Sequence, residues 1–454
     1  MGPRGSLGKD ALLTMTAQGA SLVCGMATSV ITARALGPAG RGVVALVVLT
    51  VGLVGWVVPL SAESGLMYYV SRRRASVGSA LTAAVAMGAV TGAIGLLVVW
   101  GLSAALASSA LRGVPRSLLL LAGAGLAFGT FTALTYAAIL GAGWVRERTA
   151  LCTAGAVLGL ILTAVFVLGL RMGVTGAVLA GLLVPIVMSG AVVIWLGRRV
   201  RMPRRVDLGL VRASVLFGLK MHPGLVAYWA NLSLDRLIVN YFLGAYAVGL
   251  YGVAGSLGEL MWQIPAAIAI ALLPRAVGSD SATGEAAARA ARLATALVAL
   301  GCAGTAAVAP LLVPALFGRE FSPAVPALLM LLPGVIMFTP GKVLTAYLIA
   351  QGHQQAMSYA SGAGLAVTLA LDMLLIPRWG IVGAAAASTA AYGVTSAVNT
   401  AWFLRVSMIG MKDVTLVRLE DFCSLIALVR GAARRLVRAA PGEKKVPVAR
   451  AREA

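Results

Sequence analysis

The chain is a succession of apolar stretches, each long enough to cross a bilayer and each closed by a short break of Gly, Pro or Arg. A helical span needs about 20 apolar residues at 1.5 Å rise each. By that measure spans are predicted at 11–33, 43–70, 77–104, 117–141, 150–170, 174–196, 213–240, 246–274, 291–315, 325–350, 358–376 and 381–404. The expectation is an all-α polytopic membrane protein of about 12 transmembrane helices. A water-facing alternative fails on composition: 11% of the 454 residues are charged and 60% hydrophobic, against roughly a quarter charged in soluble domains.

The formal net charge of +22 invites a nucleic-acid reading, but the basic residues sit between apolar runs and carry none of the soluble binding motifs. They follow the positive-inside rule instead. With the N-terminus inside, one set of loops holds Arg4, Lys9, Arg72, Arg73, Arg74, Arg146, Arg148, Arg198, Arg199, Arg201, Arg204, Arg205, Arg212, Arg275, Arg289 and Arg292. The opposite set holds only Arg34, Arg41, Arg112, Arg116, Arg171, Arg319 and Arg378. Both termini are therefore expected in the cytoplasm of a bacterium, with the chain in its inner membrane. Arg4 and Lys9 precede an apolar stretch without a small-residue cleavage site, so that stretch is expected to stay as the first helix.

A repeat at a shift of 207 residues gives the next level of organisation. Leu36, Gly37 and Gly42 map onto Leu243, Gly244 and Gly249; Gly155 and Ala156 onto Gly362 and Ala363; Gly173, Gly176 and Ala177 onto Gly380, Gly383 and Ala384; Trp195 and Arg198 onto Trp402 and Arg405. Six spans per repeat return the chain to its starting side, so the halves share one topology. The predicted architecture is two parallel six-helix lobes, 1–205 and 206–408, followed by a tail, 409–454. Parallel repeats of this kind place a substrate path between two bundles that rock about it.

Within the tail, Leu416, Leu419, Phe422, Ile426, Val429, Ala433 and Leu436 recur at helical spacing among Arg430, Arg434, Arg435 and Arg438. This pattern suits a basic amphipathic helix on an anionic lipid leaflet. The four cysteines have no CxxC spacing and the chain has two histidines, so no zinc site, multi-His metal site or other cofactor is expected. Gly88/Gly92 and Gly125/Gly129 have the spacing of close helix contacts, expected within a lobe.

Ionisable residues inside spans cost about 2.5–3.5 kcal/mol each at mid-bilayer and are functional candidates by default. The deepest are Lys220 and His222 on the seventh helix, next to Pro223, Glu259 on the eighth and Lys342 on the tenth. Glu63, Asp235, Arg236 and Asp372 lie nearer the span ends and form a secondary set, for which interhelix pairing is the competing explanation.

Three segments then resemble the oligosaccharide-lipid (O-antigen type) flippases of the multidrug/oligosaccharidyl-lipid/polysaccharide exporter superfamily. They are Ala33-Arg34-Ala35-Leu36-Gly37-Pro38 through Gly40-Arg41-Gly42; Asp235 with Phe242-Leu243-Gly244 and Val248-Gly249-Leu250-Tyr251; and Leu371-Asp372, Leu375-Ile376-Pro377 and Gly380-Ile381-Val382-Gly383-Ala384-Ala385. The resemblance implies a flippase, not an enzyme, that carries a polyprenyl-pyrophosphate-linked oligosaccharide from the inner to the outer leaflet, with polysaccharide assembly proteins as possible partners. On that reading Lys220 and Lys342 hold the anionic pyrophosphate as point charges, and Glu259 or His222 carries a coupling proton. Two alternatives stay open: a cation-coupled small-molecule exporter of the same superfamily, and a lipid II flippase. An ATP-driven pump is excluded because the chain has no Walker A glycine loop.

Overall fold

The computed structural model describes residues 7–203, 205–272 and 281–415, and every regular element among them is helical. Among the described residues, eight helical stretches are long and apolar enough to cross a membrane. Two of these double back on themselves. α1 (Leu7–Val57) turns at Gly37 (φ 65, ψ −178), and α15 (Gln355–Ser407) turns at Gly380 (φ 59, ψ −139). The seventh and eighth spans are assembled from shorter pieces, which brings the described residues to twelve spans.

The first lobe continues from α1 into α2 (Ala62–Ser71), α3 (Val77–Ala105), the pair α4 (Arg116–Gly123) and α5 (Leu126–Gly141), α6 (Val145–Thr163) and α7 (Gly173–Gly197). The second comprises α8 (Leu208–Leu219), α9 (His222–Asn231), α10 (Leu234–Leu243), α11 (Ala245–Met261), α12 (Gln263–Leu272), α13 (Ser281–Phe317), α14 (Ala324–Ala350) and α15. A short α16 (Met411–Thr415) follows, and the amphipathic tail pattern beyond it lies outside the described residues.

The sequence repeat has a backbone counterpart. Gly244 (φ 83, ψ 175) adopts nearly the conformation of Gly37, a region closed to side-chain-bearing residues. Gly173 (φ 60) likewise matches Gly380 (φ 59). Both pairs are separated by the same 207 residues that relate the halves in sequence, so each lobe makes its sharp turns at equivalent places. Within the first lobe, a side chain at Gly88 or Gly92 would strike Ala127 or Phe131 on α5, which explains that GxxxG spacing as packing inside the lobe.

The seventh span differs most from its expected form. It begins at Leu208 and is interrupted twice, at Lys220–Met221 and at Leu232–Ser233. Pro223 causes no internal kink. It sits in the first turn of α9, where its missing N–H leaves no bond unmade. The interruptions let the span change partners: α8 packs on α2 of the first lobe, whereas α9 packs on α15 of the second.

Candidate functional site

Four residues of the seventh and eighth spans build a polar network inside the second lobe. Asp235 opens α10 and is buried. Its Oδ2 accepts a hydrogen bond from the Tyr251 hydroxyl at 2.7 Å and a longer one from Ser388 at 3.4 Å. Its Oδ1 accepts from the Arg236 backbone N–H at 2.8 Å. Arg236 turns the other way and forms an ion pair with Glu259, Nη2 to Oε1, at 3.2 Å. Asp235, Arg236, Tyr251, Glu259, Trp262 and Tyr392 are among the residues that line a small space of about 20 Å³, room for a single water molecule. Lys342 lies over the indole of Trp262 at 4.9 Å and over Phe338 at 6.0 Å, a cation–π arrangement, and its charge acts on Glu259.

Asp372 is buried at 0% exposure on the arm of α15 before the Gly380 turn. Neither of its carboxylate oxygens has a hydrogen-bond partner among the described residues. Asp235 acts on it electrostatically. One turn earlier on the same arm, Thr368 donates to Asn231 Oδ1 at 2.7 Å, joining the seventh and eleventh spans. An unpartnered buried carboxyl is costly as an anion, so this position is suited to taking up a positive charge, as a proton or a cation.

The remaining candidates fall elsewhere. His222 Nδ1 lies 2.9 Å from Ser61 Oγ, where the seventh span meets the second. Glu63 lines a cavity of about 410 Å³ together with Ser61, Trp56 and Trp229. Lys220 is exposed and borders a separate cavity of about 300 Å³ against Gly352, Gln354 and Ser358. The structure thus brings Glu259 and Lys342 together with Asp235 and Arg236, sets Asp372 apart as a buried carboxyl without a hydrogen bond among the described residues, and leaves Lys220, His222 and Glu63 elsewhere.

Glu259 also faces the space between the lobes. A cavity of about 450 Å³ separates the first span from the eighth, lined by Gln18, Ser21, Ser29, Ser256, Glu259 and Gln263 among others. Gln18 and Gln263 lie farther along their helices from the Gly37 and Gly244 turns than Ser29 and Ser256 do, so the cavity extends away from those turns. At the opposite end the lobes are latched. Arg34 donates through Nε to Leu316 O at 2.8 Å and also bonds the Ala315 carbonyl, so a first-lobe cation caps the C-terminus of α13. Arg41, fixed within the first lobe by the Ser29 main-chain carbonyl (3.0 Å) and hydroxyl (2.9 Å), lies over Phe317 of the second lobe at 5.2 Å. Asn240 Nδ2 donates to Ala110 O and Arg112 O at 2.8 and 3.1 Å. Tyr251, Ser388, Arg41 and Asn240 were not singled out by charge and depth alone. Arg41 and Tyr251 do lie within the segments that carry the family resemblance.

Residues 31–326 match the family model described as "Polysaccharide biosynthesis protein", well over half of the chain. The chain belongs to the polysaccharide biosynthesis protein family. No curated protein sequence matches it. Among solved structures, a lipid II flippase, MurJ, in an inward closed conformation superposes with a TM-score of 0.73 at 12% identity, covering 94% of this chain and 97% of that one. A multidrug resistance MATE family transporter of the MOP superfamily, in an inward-facing conformation, gives 0.70 at 17% identity over 88% and 98%. An outward-facing MATE family transporter gives 0.59 at 16% identity over 88% and 94%. This member of the polysaccharide biosynthesis family therefore has the fold of the exporter superfamily its sequence resembles, a multi-pass bundle of two six-helix lobes.

Proposed function

We propose that this protein moves a polyprenyl-diphosphate-linked oligosaccharide from one leaflet to the other by alternating access between its two lobes. The observation that carries the reading is the Arg236–Glu259 ion pair, placed where the second lobe meets the inter-lobe cavity in a chain of the polysaccharide biosynthesis family. A diphosphate is an anion that a guanidinium binds in bidentate fashion. As it enters, it competes with Glu259 for Arg236. The ion pair then works as an internal placeholder that keeps the guanidinium compensated while the cavity is empty.

The Arg-rich loops set the orientation by the positive-inside rule. The end of the bundle away from the latches is then cytoplasmic and the latched end faces outward. Loading occurs from the cytoplasm, and release follows when the latches at Arg34, Arg41 and Asn240 part. Asp372 and Asp235 supply the site at which a proton or cation biases that exchange, because one of them is buried without a hydrogen-bond partner. The basic tail contributes contact with anionic lipid on the loading side.

The test is a deletion strain analysed for lipid-linked oligosaccharide. The reading expects the intermediate to accumulate on the cytoplasmic leaflet, and complementation by the wild type but not by Arg236→Ala. Normal surface polysaccharide in the deletion strain, without accumulation, contradicts it. The buried carboxyls also suit a second reading, a cation-coupled exporter of small molecules. That reading expects altered drug susceptibility in the same strain and no trapped intermediate.

A further inference from the structure

Near the middle of the molecule, two indoles from different lobes stack on one another. Trp56 and Trp229 have ring centroids 4.5 Å apart and an interplanar angle of 20°. Trp56 lies about midway between the Gly37 turn and the end of α2, and Trp229 belongs to α9 on the seventh span. Tyr228 meets Trp229 edge-on at 5.4 Å. Trp in membrane proteins concentrates at the water interfaces, so a pair at this depth is unusual. Both rings remain partly open, 36% and 38% exposed, and both line the 410 Å³ cavity.

The cavity has two kinds of wall. Gly52, Gly55, Gly125, Gly129 and Gly181 contribute a surface without side chains, and a methyl added at Gly129 or Gly181 would meet nothing within 4 Å. The cavity is therefore open beside these two glycines, and the indoles, stacked on one another, offer it their outward-facing surfaces. Ser61, Glu63 and Thr130 supply the polar groups. The carboxylate can only accept hydrogen bonds and the hydroxyls can do both. The volume lies within the ~300–1,000 Å³ range of small-ligand sites.

An aromatic face carries the negative lobe of the ring quadrupole and attracts weakly positive C–H groups. A sugar ring has one face of C–H groups and a rim of hydroxyls. Indole faces beside a carboxylate and two hydroxyls match both parts at once, and the bare glycine wall leaves room for the ring. We propose that Trp56 and Trp229 form a stacking platform for a sugar of the lipid-linked cargo, with Glu63, Ser61 and Thr130 receiving its hydroxyls. The platform holds the glycan on the second-to-seventh-span side, apart from Arg236, which holds the charged neck. This deepens the flippase reading and rests on it.

The experiment compares binding of two probes to the full-length protein in nanodiscs: a polyprenyl-diphosphate-linked disaccharide and the same polyprenyl diphosphate without sugar. The wild type is expected to prefer the glycosylated probe. Trp56→Ala and Trp229→Ala are expected to reduce that preference about tenfold, equivalent to about 1.4 kcal/mol, with binding of the bare lipid unchanged. Trp56→Phe and Trp229→Phe retain an aromatic face and are expected to keep part of it, which separates stacking from a folding defect. A preference that is absent in the wild type, or that survives in both Ala variants, overturns the platform while the flippase reading stands. Failure of the wild type to bind either lipid overturns both. Binding of tetraphenylphosphonium that depends on Trp56, Trp229 and Glu63, without any effect of the indoles on the glycosylated probe, assigns the cavity to lipophilic cations and overturns the platform.

Discussion

Gly42 and Gly249 occupy equivalent positions in the two repeats and face one another across the lobe interface. A methyl group on Gly42 would overlap the carbonyl of Ala245, and one on Gly249 would overlap the carbonyl of Pro38. Pro38 and Ala245 are themselves 207 residues apart, so the contact is reciprocal, as at a two-fold axis. The seam between the lobes is closest here, next to the Arg34 and Arg41 latches. Any substitution that adds bulk pushes the two lobes apart at the latched end. Gly42→Val and Gly249→Val are each expected to shift the population toward a conformation open at that end and to lower transport at least tenfold, overpacking costing about 1–3 kcal/mol. Interlobe distances from spin labels read the shift. Gly190→Ala, which fills open space on α7, serves as the neutral control.

The Arg236–Glu259 pair gives a second expectation. Its side chains are 27% and 47% exposed, so each charge is only partly desolvated and the loss of one partner costs less than the 3–5 kcal/mol of a fully buried pair. Glu259→Ala is expected to lower stability by about 1 kcal/mol. Arg236→Ala does the same and also abolishes binding of the diphosphate probe. In the double variant stability returns most of the way and transport does not, which thermal unfolding and transport assays measured side by side would show.

Burial treats the two interior carboxyls differently. Asp235 accepts from Tyr251, Ser388 and a backbone N–H, so Asp235→Ala removes three hydrogen bonds and leaves Tyr251 and Ser388 only each other, 3.0 Å apart, at an expected cost of about 1–3 kcal/mol. Asp372 has no such partners. Asp372→Asn is therefore expected to be neutral or mildly stabilising, while transport loses its dependence on the proton or sodium gradient. Thermal shift and gradient-driven uptake in vesicles test both halves of the statement.

Strain marks the junction of the second and seventh spans. Leu60 and Ser61 both have φ near 55, a left-handed conformation that favours glycine, and Ser61 bonds His222 at 2.9 Å. Ser61→Gly and Ser61→Ala both remove that bond, but only glycine relieves the backbone. Ser61→Gly is expected to be more stable than Ser61→Ala by about 1 kcal/mol; equal melting temperatures would contradict the strain.

Most of the fold is legible in the sequence because span length and glycine turns are local properties. Gly37 and Gly380 end apolar runs and repeat at a constant shift, and both prove to be turns. The division of the seventh span was only partly legible. Pro223 marks a break, but α8 can lie against the second span only because a side chain at Gly65 would overlap the Ser214 backbone and one at Gly218 the Leu60 and Ser61 carbonyls, contacts visible only when the two spans are side by side. For the site, depth along a helix singled out Glu259 and Lys342 and undervalued Asp235 and Arg236. These lie nearer the span end, yet α10 turns Arg236 back toward Glu259. Rotation about a helix axis is set by packing across the whole bundle, and a list of depths carries no information about it. Trp56 and Trp229 escaped notice for the same reason: 173 positions separate two indoles that are uncharged and individually unremarked.

The most direct test of the central claim is leaflet transfer in reconstituted vesicles. The protein is placed in proteoliposomes loaded with polyprenyl-diphosphate-linked oligosaccharide on one leaflet, and the appearance of sugar on the other is followed by a membrane-impermeant glycosidase. Transfer is predicted to require the protein, to disappear with Arg236→Ala, and to stop when Arg34→Cys and Leu316→Cys, which face one another across the latch, are joined by a short bifunctional thiol reagent that fixes the seam. Transfer at the same rate in protein-free vesicles, or undiminished transfer with the seam locked, would contradict the two-lobe mechanism.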